Sequence, residues 1–160
     1  MQFHVDRVKP VIEPEVRNLC TRPYHNHPHG CPNYGKRDTC PPTAKLFNKV
    51  YDLSRPVWAL WTSFDLGEHV ARMKARHPKW TYRQTSCCLY WQGTVRKFLR
   101  EHAQKWWMGA DVGTLITTCP EAMGINLTAT MASIGVKLEW PPKQYTRVIY
   151  VAGQIRGLTY

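Results

Sequence analysis

The sequence predicts an α/β domain of the α+β kind, a small mixed sheet with packed helices and a long cysteine-rich segment near the N-terminus. Three observations predict it. Short apolar runs of strand length alternate with stretches of helical period. Apolar residues make up 43% and charged residues 21%, the balance of a globular chain and not of a disordered one. The 160 residues and 18.6 kDa suit a single domain, 1–160, able to bury its own core. Within it, 18–43 reads as the cysteine-rich loop and 56–152 as the α/β core.

Taken in order, residues 1–16 look extended, with Phe3, Val5, Val8, Val11 and Ile12 interrupted by Pro10 and Pro14. From Asn18 to Thr43 the composition changes to three cysteines, three histidines, five prolines and two glycines, with neither a helical nor a strand period. Pro56–Thr62 reads as a buried strand. Asp65 then caps a helix to about His77, stopped by Pro78. Thr81 opens a long helix to about Trp107, with Trp91, Val95, Phe98, Leu99, His102 and Trp106 inward and Arg96, Lys97 and Arg100 outward. Val112–Thr117 is a short strand. Asn126–Ser133 is a short helix closed by Gly135, and Val136–Trp140 and Arg147–Ala152 are two further strands.

Several function classes are excluded or demoted. No window approaches the roughly 18 apolar residues of a membrane span, so no membrane partner is expected. Asp6, Arg7, Lys9, Glu13 and Glu15 crowd the first residues, which do not form an apolar signal segment, and a cytoplasmic location follows. There is no P-loop, GxGxxG or GxSxG elbow. The 22 Lys and Arg against 11 Asp and Glu give a charge of +11, which permits nucleic acid as a partner. The groups Arg72, Lys74, Arg76 and Arg96, Lys97, Arg100, Lys105 are read first as solvated helix faces.

The six cysteines carry more information. In a reducing compartment they point to metal binding or catalysis before disulfides. Cys20, Cys31 and Cys40 lie among Pro, Gly, His and Asn, with no apolar face to join. A loop this long needs something to order it, and a bound metal would. Cys119 sits between a strand and a helix, where free backbone N–H groups favour a thiolate. Cys31, Cys40 and Cys119 each precede a proline, which removes the next donor and keeps the cysteine extended. Soft thiolates select zinc or iron–sulfur. Structural zinc usually takes ligands in pairs two to four residues apart. Here ten and then eight residues separate the first three thiols, and wide spacing suits a 4Fe–4S cluster held by Cys20, Cys31, Cys40 and Cys119. His25, His27 and His29 are the argument for zinc instead. Cys87 and Cys88 read as buried thiols inside the long helix, with a role as fourth ligand open. Arg22, Lys36 and Arg37 would offset thiolate charge, and Tyr24 and Tyr34 would wall the site from water.

Cys31-Pro-Asn-Tyr-Gly-Lys-Arg, then Cys40-Pro-Pro, and later Cys119-Pro-Glu-Ala-Met-Gly-Ile-Asn-Leu-Thr-Ala-Thr, resemble a family of small, uncharacterised predicted metal-binding proteins of bacteria, archaea and their viruses. The resemblance covers about Cys20 to Trp140. It implies that Cys20, Cys31, Cys40 and Cys119 form the metal site, an iron–sulfur cluster, and that Glu121, Gly124, Asn126 and Thr130 belong to the adjoining signature. Family members often carry further cysteines in the C-terminal half, where this chain has only Cys87, Cys88 and Cys119.

The functional expectation is an iron–sulfur protein acting in electron transfer or in chemistry at an open iron. In the latter case Glu121 and His25 are the nearest candidate proton carriers, and a redox partner or small-molecule substrate is implied. The alternative is a zinc-stabilised nucleic-acid-binding module, with bases stacking on some of the seven tryptophans.

Overall fold

A computed structural model describes residues 1–24 and 27–157. Its strands are β1 (Phe3–Val8), β2 (Val57–Asp65), β3 (Thr114–Thr117) and β4 (Tyr145–Gln154). Its α-helices are α1 (Phe47–Val50), α2 (Leu66–Arg76), α3 (Tyr82–Thr85), α4 (Gln92–Met108) and α5 (Leu127–Ala132), and 3-10 helices occupy Pro14–Thr21, Cys88–Tyr90 and Pro120–Met123. This is an α+β fold.

The strands form one sheet in the order β1-β2-β4-β3. Every pairing is antiparallel, which corrects the mixed sheet the sequence suggests. β2 and β4 lie in the middle and are covered on both faces, which is why Val57–Leu60 and Val148–Ala152 read as nearly continuous apolar runs. On one face Val57, Ala59, Trp61, Ile149 and Val151 meet Phe47 of α1, Ile125, and Leu127 and Met131 of α5. On the other, Leu60, Tyr150 and Ala152 meet Leu99 and Ala103 of α4. A third cluster joins Leu66, Trp91 and Val95.

The chain's own chemistry sets several boundaries. Asp65 caps α2 by accepting from the Glu68 N–H at 2.8 Å. Asn126 caps α5 by accepting from the Ala129 N–H at 3.0 Å. The inward and outward faces of α4 fall as expected, with Val95, Leu99 and Ala103 buried and Arg96, Lys97 and Arg100 exposed.

Two expectations are corrected. The helix expected from Thr81 to Trp107 is broken between Thr85 and Gln92. Thr81 and Gln84 close a capping box, after which the Thr85 and Ser86 hydroxyls both donate to the Tyr82 carbonyl, at 3.0 and 2.7 Å. Side-chain hydroxyls competing for helical carbonyls offer the backbone a way out of the helix. The break turns Trp91 into the third cluster, and its indole N–H donates to the Ser86 carbonyl. Cys87 and Cys88 therefore do not sit inside an amphipathic helix: Cys87 is half-buried and Cys88 exposed. Residues 136–140 are not a strand either. Their Val136 and Leu138 pack onto the face of the first cluster, while the Glu139 carboxylate gathers the Lys143 and Gln144 N–H groups into a turn.

Candidate metal centre

Four segments must meet if the predicted ligands are to share one centre, and the sequence provides a device for each meeting. Residues 11–14 are stitched to 124–130. The Val11 N–H donates to Thr130 Oγ1 at 3.0 Å, the Asn126 N–H to the Val11 carbonyl at 2.8 Å, and the Glu13 N–H to the Gly124 carbonyl at 2.8 Å. Asn126 Nδ2 also donates to the Glu13 carboxylate at 3.0 Å. Gly124 has φ +81°, and a Cβ there would stand 2.9 Å from Leu46 Cδ2. Gly124, Asn126 and Thr130 thus act as the fasteners that lay the Pro14–Thr21 helix against the Pro120–Met123 helix. Cys20 rides on the first, and Cys119 opens the second.

Cys31 returns to Cys20 through a tight backbone contact. Its N–H donates to the Cys20 carbonyl at 2.8 Å, and Gly30 before it has φ +81° with only 2.7 Å between a would-be Cβ and the same carbonyl oxygen. No other residue type fits there without moving backbone.

Cys40 is tied in by Arg17. In a 3-10 helix residues three apart lie one above the other, so Arg17 and Cys20 share a face. The Arg17 guanidinium donates to the Ala44 carbonyl at 2.8 Å and the Pro42 carbonyl at 3.2 Å, holding the turn that starts at Cys40. Its Nε is buried with no partner. Sequence reasoning missed Arg17, although Pro14 as a helix-start signal followed by Arg17 and Cys20 at threefold spacing carries the information.

Burial pushes the Cys20 thiol up from its ordinary range, and negative charge at Cys31, Cys40, Glu121 and Cys119 pushes it further. Cys31, Cys40, Cys119 and Glu121 therefore each lie near enough to Cys20 to oppose its ionisation. Glu121 is only half-hidden as a residue, but its carboxyl sits among packed atoms, and burial raises it above the usual carboxylate range. Tyr24 is raised by burial and then by Cys31, Cys20 and Cys88, which brings the exposed Cys88 to the edge of the same region. Tyr150, also raised by burial, feels Arg100, Arg96 and Cys119, linking the basic face of α4 to the fourth thiol.

Other predicted residues fare differently. His27 is half-buried, its ring 4.6 Å from that of Tyr24, and His29 is exposed. His25 lies outside the described residues. Tyr34, Arg22, Lys36 and Arg37 are exposed. All six cysteines are free thiols. Among the described residues no three His, Cys, Asp or Glu side chains are gathered into a set that could hold a single metal ion, and no helix is long and apolar enough to cross a membrane. No family model, curated protein or solved structure matches the chain.

Chemically, Cys20 is a soft, ionisable sulfur whose ionisation is opposed by burial and by Cys31, Cys40, Glu121 and Cys119. Thiolate donors of this kind fit a thiophilic metal centre, whose positive charge would offset that opposition. The orphaned Arg17 Nε–H on the same 3-10 helix as Cys20 fits as well, since donors around a metal–sulfur centre tune it.

Proposed function

We propose that the chain is an iron–sulfur protein in which Cys20, Cys31, Cys40 and Cys119 hold a 4Fe–4S cluster and that it acts in electron transfer. What supports this reading is that Cys31, Cys40 and Cys119, the last of them 99 positions along the chain, each push the Cys20 thiol up, and that the Cys31 N–H donates to the Cys20 carbonyl at 2.8 Å. The absence of any Cys pair at zinc-type spacing favours a cluster over a single ion. The resemblance of the two cysteine motifs to the predicted metal-binding family points the same way. Reduced thiols and this metal chemistry suit the cytoplasm.

When bound, such a cluster supplies one-electron chemistry. The chain's own residues do the rest. Arg17 fixes the 40–44 turn through the Pro42 and Ala44 carbonyls and keeps its buried Nε–H unpaired. Tyr24, 49% exposed, lies near enough to Cys31 and Cys20 for their charge to raise its phenol. Tyr150, with Arg96 and Arg100 close by, sets a polar and positive environment next to Cys119. Those arginines would lower the cost of an added electron and offer an acidic redox partner a docking charge.

Anaerobic purification, followed by an absorbance spectrum and by iron, sulfide and zinc analysis, tests the reading. A brown protein with iron and sulfide in equal amounts is expected. A colourless zinc protein would replace this reading by the zinc-stabilised nucleic-acid module. Cys119→Ala separates a closed four-thiolate site, in which the cluster is lost, from a three-thiolate site with an open iron, in which it survives.

A further inference from the structure

A cavity of about 360 Å³ opens between α2 and the start of α4, lined by none of the cysteines. Met1 and the start of α4, with Trp91, Thr94 and Val95, form part of its wall, and three further segments complete it. The end of β2 gives Phe64, whose ring stacks on that of Trp91 at 5.1 Å and 13°. The 3-10 helix before α4 gives Tyr90, which is largely exposed. One stripe of α2 gives His69, Arg72 and Arg76, spaced three and four apart and hence on one face.

Three features of this cavity are unexplained by packing. The His69 side chain is buried, only 5% exposed, yet its Nε2 has no hydrogen-bond partner. The ring is engaged by the Thr85 backbone, while burial and then Arg72 hold it below the usual imidazole range. A neutral imidazole that donates through one nitrogen accepts through the other, so the orphaned Nε2 asks for an N–H or O–H donor. Second, Arg72 and Arg76 are like charges one helical turn apart, a mildly destabilising arrangement by itself. Neither joins the ion pairing of the described residues, where the bridge found is Lys97–Glu101. Third, Tyr90, whose ring stacks on that of Trp80 at 5.5 Å, still leaves aromatic surface open in the same cavity as the two guanidinium groups.

We propose that this cavity is a binding site for a nucleoside monophosphate, with Arg72 and Arg76 on the phosphate, Tyr90 against the base and His69 Nε2 accepting from a hydroxyl or amino group. Planar, forked guanidinium groups match phosphate oxygens, and every base presents a π-face to an aromatic side chain. The volume is that of a small-ligand site and suits one nucleotide. The site is independent of the metal centre: it needs no cysteine and stands whether or not iron is bound.

Calorimetric titration of the purified full chain with AMP, GMP, CMP and UMP, with inorganic phosphate, and with a single-stranded oligonucleotide tests it. At least one monophosphate is expected to bind saturably, with Kd on the order of 0.1–1 mM. Arg72→Gln with Arg76→Gln, both at exposed positions, should weaken it about tenfold. Tyr90→Ala should weaken the nucleotide about fivefold and leave phosphate unchanged. The proposal is overturned if no monophosphate gives saturable heat, if the double arginine variant binds as tightly as the parent, or if phosphate alone matches the nucleotides. Tighter binding of the oligonucleotide than of any monophosphate would likewise overturn it in favour of a strand-binding surface.

Discussion

Gly30 is the position at which a single added methyl group should separate folding from metal binding. In Gly30→Ala the residue must keep φ +81°, in the left-handed region that costs an L-residue about 1–2 kcal/mol. The new Cβ would also stand 2.7 Å from the Cys20 carbonyl oxygen and 2.9 Å from the Thr21 carbonyl carbon. Both are backbone atoms, so the strain cannot be relieved by rotating a side chain. The chain's simplest escape is to lift Cys31 away from Cys20, giving up their 2.8 Å hydrogen bond, as the parent also does when this segment opens. The added strain of about 1–2 kcal/mol in the closed form is equivalent to a shift of roughly 5- to 30-fold in the equilibrium between closed and opened segment. None of the three core clusters includes residues 20–40, so the sheet should melt nearly as before. The assay pairs thermal melting by circular dichroism with iron and sulfide per chain after exposure to a chelator. Gly35→Ala is the control: φ is +69° there, but no atom lies within 4 Å of the added Cβ, so metal should be retained. Should Gly30→Ala keep iron and sulfide as well as the parent does under the same challenge, the argument that this backbone contact assembles the site is wrong.

Thr130→Val would leave the Val11 N–H without its acceptor, costing about 1–3 kcal/mol in denaturant melts, and it should also loosen metal because the 11–14 segment positions Cys20. Asp65→Ala removes both the α2 cap and the acceptor for Gln144 Nε2 at 2.7 Å, and about 1–2 kcal/mol of stability should go with them in the same melts. His69, faced by Arg72, Arg76, Phe64 and Tyr90, has a folded pKa below its unfolded value. Its contribution is therefore complete above about pH 6.5 and declines as acidification charges the unfolded imidazole first. Melting temperatures compared at about pH 7.5 and about pH 5.5 should fall less steeply for His69→Gln than for the parent.

By itself the amino-acid sequence determined the elements whose signals are local. Asp65 ahead of an amphipathic run made α2, and Asn126 made α5. The unbroken apolar stretches around Leu60 and Val151 marked strands covered on both faces. The list of candidate thiols was also legible, since Cys-Pro steps in a segment without any apolar period leave little for those residues to do in a core. What the sequence did not carry was the outcome of competition between distant groups. Val136 and Leu138 alternate like a strand, yet their side chains pack onto the face of the first core cluster and their backbone joins no strand of the sheet. The helix before Trp91 broke where the Thr85 and Ser86 hydroxyls took the Tyr82 carbonyl, and the indole then packs beside Leu66 and Val95. Only the tertiary structure decided which side chains fasten residues 11–14 to 124–130, that Arg17 governs the turn at Cys40, and that His69 Nε2 is left without a partner near two arginines. Those are long-range matters of hydrogen-bond satisfaction, and a one-dimensional pattern records which donors and acceptors exist but not which of them meet.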